Sequence, residues 1–270
     1  MLFLFWTLAP DVLVYLESIV HEGRLDLKPY HGLLTEARHW GLLWHTVVAS
    51  GGAVLLALVL GVPLAFLVTR TDLPGRRALE LLSLFPLITP PYIAGIAWTH
   101  HVRISGAPGI VLMLGLTYFP LVVLLTGRAF MTTDAAMEEV AILTRGKRST
   151  FFAITLRLAA PAIIAAALFV LVFTISDFST PDYFTTTTTR PFHVYATEVF
   201  YDYAHLGDHR AATAASVPLV LLALVGVIVI ARLEGRGSFA TMASAYRAPL
   251  LWSLGRHRAW LAVVSWLVVG

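Results

Sequence analysis

Cysteine is missing from all 270 residues, which removes disulfides, thiolate nucleophiles and cysteine metal sites from consideration. Charge is scarce as well. Asp, Glu, Lys and Arg make up 13% of the chain, about half the roughly 25% usual in soluble domains. No glycine-rich loop ending in Lys-Ser or Lys-Thr is present, so the cradle that would hold nucleotide phosphates is lacking. No Ser–His or paired-carboxylate arrangement rises above chance either. What the chain has in excess is apolar surface: 58% of its residues are hydrophobic and its mean hydropathy is +0.78. One soluble core of this length cannot hide that excess, and disordered chains carry far more charge. The chain reads as a membrane protein.

A helix crosses the hydrocarbon with about 20 residues. Five intervals free of Asp, Glu, Lys and Arg meet that need: His39–Thr69, Leu81–Val102, Ile104–Gly127, Leu158–Ser176 and Ala211–Ala231. The first is longer than a span requires, so its helix is expected to begin near Leu42. Weaker candidates flank the five. Leu2–Val20 is interrupted by Pro10, Asp11 and Glu17, and Ala259–Gly270 starts like a span and stops. No basic residue precedes Asp11 and no small-residue cleavage site stands out, so the N-terminus reads as a modest first helix rather than a signal peptide. The fold class is therefore all-α, a polytopic transmembrane helix bundle of about six spans plus the beginning of a seventh. Residues 1–40 form the first span and an outer interfacial segment, 41–232 the core, 233–258 a cytoplasmic linker and 259–270 the start of a further span.

Alternating spans sort the loops into two sets. One holds thirteen of the nineteen basic residues, among them Arg70, Arg76, Arg77, Arg128, Arg145, Lys147 and Arg148. The positive-inside bias places that set in the cytoplasm. The isoelectric point of about 9.3 thus reports membrane orientation, and nucleic acid is not an expected partner.

Pro86, Pro90 and Pro91 fall inside the interval Leu81–Val102. Proline frees helical carbonyls that lipid cannot satisfy, so this helix must break where protein or water meets them. It reads equally as a helix lining a translocation path and as a packing kink. The longest cytoplasmic loop, residues 128–157, offers Thr132, Thr133 or Asp134 as a helix cap, then Glu138 and Glu139 in the early turns and Gly146–Lys147 as a stop. A short amphipathic helix, a turn and a second helix through Phe151–Phe152 into the next span are predicted. Such a helix suits docking into a groove of a soluble partner, or lies at the interface without one.

These residues carry a resemblance. The loop resembles the EAA loop of ABC importer permeases, meeting its pattern without a gap at Glu138, Ile154, Leu156 and Pro161. Leu60–Ala65, Thr71–Arg77, Pro90–Tyr92 and Ser176–Pro181 extend the likeness, which is to the iron(III)-type branch, whose members commonly fuse two six-helix halves. Departures are present: Glu139 and Val140 replace the two alanines, Thr144 holds the glycine position with Gly146 two residues later, and Arg157 replaces the proline. The glycine turn is therefore shifted or altered. Residues 246–258 look like a linker between halves, so the chain is expected to be an N-terminal half, or a truncated product, of a longer permease.

The resemblance implies a permease subunit of an ABC importer, without cofactor and without covalent chemistry, carrying ferric iron. Its partners would be a cytoplasmic ABC ATPase dimer, a periplasmic or lipoprotein substrate-binding protein, a second permease half or identical copy, and the lipid membrane of a bacterial or archaeal cell. Glu138, Glu139, Ala141, Thr144 and Gly146 would couple to the ATPase, both glutamates supporting its association. Pro86, Pro90, Pro91 and Asp177 would belong to the translocation path, with the helices of Pro86–Pro91 and Leu158–Ser176 lining it. Asp177 reads alternatively as an interfacial cap of the next short helix, and Gly51, Gly52 and Gly61 as close-packing positions. Other classes remain open: an intramembrane metal-dependent enzyme using His100, His101 and Asp177, or a channel or secondary transporter not driven by ATP. Adjacent histidines on a helix point about 100° apart, and no third ligand has matching spacing.

Overall fold

A computed structural model describes residues 2–21, 24–102, 104–133, 135–187, 191–234 and 250–269. Its backbone is helical almost throughout, relieved by a two-residue hairpin, β1 (Val20–His21) against β2 (Arg24–Leu25). In chain order the helices are α1 (Leu2–Ile19), α2 (Lys28–Thr35), α3 (Ala37–Arg70), α4 (Arg76–Leu82), α5 (Phe85–Ile88) and α6 (Pro91–Val102). Then follow α7 (Gly106–Met131), α8 (Ala135–Arg145), α9 (Lys147–Thr150), a π-turn (Phe151–Thr155) and α10 (Leu156–Ser176). The chain continues with α11 (Ser179–Thr187), α12 (Tyr195–Ala204), α13 (His209–Glu234) and α14 (Arg258–Val269).

Four of these stretches are long and apolar enough to cross a membrane, and five if the bent pair α4–α5 and α6 counts as one span. They coincide with the five charge-poor intervals. The flanking candidates are helical as expected, although α1 carries Pro10 and α14 has only 12 residues. Helix α3 begins at Ala37 rather than near Leu42 and runs 34 residues, about 50 Å at 1.5 Å per residue. It overshoots the roughly 30 Å hydrocarbon layer and carries one charged end to each side. At one end Arg38 pairs with Glu198 at 2.7 Å, and at the other Arg70 pairs with Glu138.

The core is α3 packed along α7, with α10 laid across both. Small residues recur every four positions on the buried face of α3, at Ala49, Ala53, Ala57, Gly61 and Ala65. Spacing of four keeps them on one face, and their size lets two backbones approach closely where lipid supplies no hydrophobic drive. A Cβ built on Gly61 would lie 2.6 Å from Val122 Cβ, and one on Gly52 would lie 2.8 Å from Val111 Cγ2. Gly51 has nothing within 4 Å, so close packing explains Gly52 and Gly61 but not Gly51. The opposite faces, including Leu55, Val59 and the run from Val220 to Val229 on α13, expose large apolar side chains, as lipid-facing surface does.

Candidate functional site

The loop between α7 and α10 has the predicted helix, turn and second helix, although the Thr132 and Thr133 hydroxyls donate back to the Ala129 carbonyl of α7. Helix α8 stops at Gly146, whose φ of +76° is a conformation that favours glycine. The Gly146 N–H donates to the Ile142 carbonyl at 2.9 Å, and α9 then runs without a gap through the π-turn into α10. The expected turn glycine is thus displaced by two residues. Thr144, standing in its place, stays helical and donates its hydroxyl to the Val140 and Ala141 carbonyls. Asp134, a candidate cap, lies outside the described residues.

Within this loop Glu138 does not face outward. Both its side chain and that of Arg70 are 0% exposed, and the two form an ion pair. Thr155, in the π-turn, donates to Glu138 Oε1 at 2.7 Å, while Arg70 Nη1 donates to the Phe130 carbonyl at 2.7 Å and Nε to the Leu250 carbonyl at 3.2 Å. A buried ion pair keeps its geometry only when further hydrogen bonds support it, and here each guanidinium nitrogen and each carboxylate oxygen has a partner. Of the two glutamates expected to serve a partner surface, Glu138 is buried and Glu139 is exposed. Adjacent helical positions differ by about 100°, so Glu138 and Ala141 turn inward whereas Glu139, Thr144 and Gly146 lie exposed. Beside these, an apolar stripe is exposed: Met137 is 54% exposed, Val140 64% and Leu143 87%. That stripe, with Arg70 and Thr155, was missed in the sequence. Its signal was the three-residue spacing of 137, 140 and 143.

The proline-rich interval breaks as required. Helices α4–α5 and α6 meet at 98°, with Thr89 extended between them and Pro91 opening α6, where its missing N–H costs nothing. Pro86 and Pro91 are half-buried and Pro90 is exposed. Around the break Phe85, Ile88, Tyr92 and Ile93 present an exposed apolar surface.

Asp177 is buried at the start of α11. Its Oδ1 accepts from the Ser179 N–H and hydroxyl, each at 2.8 Å, and from the Thr180 N–H at 3.2 Å, while Oδ2 accepts from the Thr180 hydroxyl at 3.1 Å. Both oxygens are thus engaged in capping. His100 lies on α6, and the side chain of His101 lies outside the described residues. Among the described residues no three His, Asp or Glu side chains come together as a metal ion would need.

A second polar cluster gathers at the opposite end. Tyr195 donates or accepts a 3.0 Å hydrogen bond with His39 Nδ1, and burial, then the Glu198 and Asp202 charges, push its phenol up to about 12. The Asp202 carboxyl is also raised, first by burial and then by Glu198 and Asp208, with Arg38 and His39 pulling the other way.

Residues 53–238 match the family described as binding-protein-dependent transport system inner membrane component. The molybdate/tungstate transport system permease protein WtpB of Pyrococcus abyssi is 27% identical, over 62% of this chain and 67% of its own length. The putative ferric transport system permease protein FbpB 1 of Haemophilus influenzae is 22% identical over 92% of this chain, which spans 42% of that protein's length. The molybdenum transport system permease protein ModB of Mycobacterium tuberculosis is 26% identical over 82% of this chain and 89% of its own. In fold, the chain resembles a bacterial ABC transporter involved in alginate import, with TM-score 0.69 and 16% identity over 88% of this chain and 94% of the other. The MetNI methionine ABC transporter gives TM-score 0.62 at 16% identity, covering 75% of this chain and 98% of the other.

Proposed function

The chain belongs to the family of binding-protein-dependent transport system inner membrane components, and from that premise we propose that it is the membrane half of an ATP-driven importer. It lies in the cytoplasmic membrane with α8 on the cytoplasmic side. The observation that carries this reading is the apolar stripe Met137, Val140 and Leu143 on a short helix outside the spans. Water is a poor neighbour for that stripe, and the groove of a cytoplasmic ATPase is a suitable one. The protein supplies no covalent chemistry, and hydrolysis belongs to the ATPase subunits. A substrate-binding protein delivers cargo at the outer end, and a second half or identical copy completes the path. The bent α4–α6 unit and α10 line that path, since the broken helix presents its apolar surface away from the core of this half. Pro86, Pro90 and Pro91 act by setting the bend, and Asp177 acts by fixing the turn at the outer end of α10.

Ferric iron is the proposed cargo. Supporting it, the ferric relative aligns over 92% of this chain, against 82% for the molybdenum one and 62% for the molybdate/tungstate one. The first test is retention of the ATPase. Leu143→Glu places a charge in the docking stripe and is expected to abolish co-purification of the ATPase, whereas Glu36→Gln, exposed at the opposite end of α3, leaves it nearly unchanged. Equal retention in both would overturn the assignment of this face. Uptake of radioactive ferric iron against molybdate in cells carrying the complete system then decides the cargo, molybdate uptake alone refuting the ferric reading.

A further inference from the structure

Residues 250–254 follow the last core helix, yet they lie against the inner end of α3. The Trp252 N–H donates to the Arg70 carbonyl at 2.7 Å, and the Asp72 N–H donates to the Trp252 carbonyl at 3.4 Å. The Leu254 N–H donates to the Asp72 carboxylate at 2.9 Å. Thr71 and Trp252 pair as an isolated parallel bridge, and the Leu250 carbonyl takes the Nε proton of the buried Arg70. The Trp252 ring sits edge-on to Phe66 at 5.5 Å and to Phe151 at 6.3 Å. Phe66 in turn meets Phe130 and Phe151. One short segment therefore touches the guanidinium that holds Glu138 and the aromatic cluster at the π-turn.

We propose that residues 250–254 are a latch of the coupling joint, with Trp252 as its positioning residue. They bind Arg70 of the Arg70–Glu138 pair directly, so that movement of α8 passes to α3 and α7 as one body. This rests on the reading that α8 receives motion from an ATPase. Two physical reasons support the latch. Arg70 carries five N–H protons, and without the Leu250 carbonyl its Nε would be a buried donor with no acceptor. The Trp252 ring closes the joint against water, which keeps the pair in surroundings of low dielectric. Its indole N–H is buried and makes no hydrogen bond among the described residues, so ring shape, not indole chemistry, is what the joint uses.

The absence of cysteine makes the test clean. Spin labels at Arg128→Cys and Arg145→Cys, both exposed positions on α7 and α8, report the distance across the joint in the full chain in lipid nanodiscs. A control pair at Val59→Cys and Phe173→Cys, also exposed, reports α3 against α10. The native residue and Trp252→Phe should give one narrow distribution, and Trp252→Ala a roughly twofold broader one, because a site is held only as tightly as its supporting shell. The control pair should stay narrow throughout. An unchanged width in Trp252→Ala overturns the latch, as does broadening in Trp252→Phe or broadening of the control pair. ATPase co-purification is measured separately on cysteine-free Trp252→Ala, whose docking stripe is intact, and should be retained. Failure of the unsubstituted chain to retain an ATPase counts against the proposed function, while the distance widths still decide whether the segment holds α8.

Discussion

Glu138 is placed differently as a residue from what its position in the loop suggests. Buried against Arg70, it orients α8 from inside while Met137, Val140 and Leu143 face out. Removing one member of a buried pair strands the other charge, at a cost of about 3–5 kcal/mol. Arg70→Met alone should therefore lower unfolding stability in detergent by about that amount. The double variant Arg70→Met/Glu138→Leu should recover most of the loss, because neither charge is then left buried. Additive losses in an unfolding titration would show that the two do not act as a pair. Asp202 makes a prediction of opposite electrostatic origin. Burial, then Glu198 and Asp208, raise its carboxyl, so the folded protein holds that proton more tightly than the unfolded chain does. Stability falls as pH rises from the ordinary carboxylate range through the raised value. Asp202→Asn removes that slope and should raise the melting temperature at neutral pH while changing it little at acidic pH. A lowered melting temperature at neutral pH would contradict the sign.

The small-residue face of α3 accounts, among the elements, for how closely two spans approach. Gly61 and Gly51 separate that contact from general helix propensity, since alanine is the better helix former at both. Gly61→Ala sets a methyl group 2.6 Å from Val122 Cβ and 3.1 Å from the Phe119 carbonyl, an overpacking that costs about 1–3 kcal/mol. Gly51→Ala enters open space and should be neutral or slightly stabilising. Thermal unfolding of the two variants checks the difference. The α4–α6 unit illustrates the converse, a helix made by its interruption. Pro86, Pro90 and Pro91 predict the break from covalent chemistry alone, but not its 98° angle, which depends on where α5 and α6 find α7 and α11 to pack against.

Over the whole molecule, the two ends of α3 carry separate polar clusters, Arg38–Glu198 at one end and Arg70–Glu138 at the other. With the basic loops inside, a single cysteine at Arg145 should react with an impermeant maleimide only after the cytoplasmic side is opened, and one at Trp40 without that step. Reversed labelling would invert the orientation. The spans and the helical loop were legible in the sequence because hydropathy and turn-forming residues act locally and leave a trace in every window. Gly146 as a stop and Asp177 as a cap were legible for the same reason, each bonding within a few residues of itself. The Arg70–Glu138 pair was not, nor was the return of Trp252 to Arg70, because the partners are 68 residues apart in one case and 182 in the other. A burial that reverses the meaning of a glutamate is decided by which helices meet, and no local period encodes that. The sequence by itself thus determined that this chain is a membrane helix bundle with a short amphipathic helix between two of its spans. Only the tertiary structure decided which face of that helix is buried and which is exposed, because the residues that bury it come from distant helices.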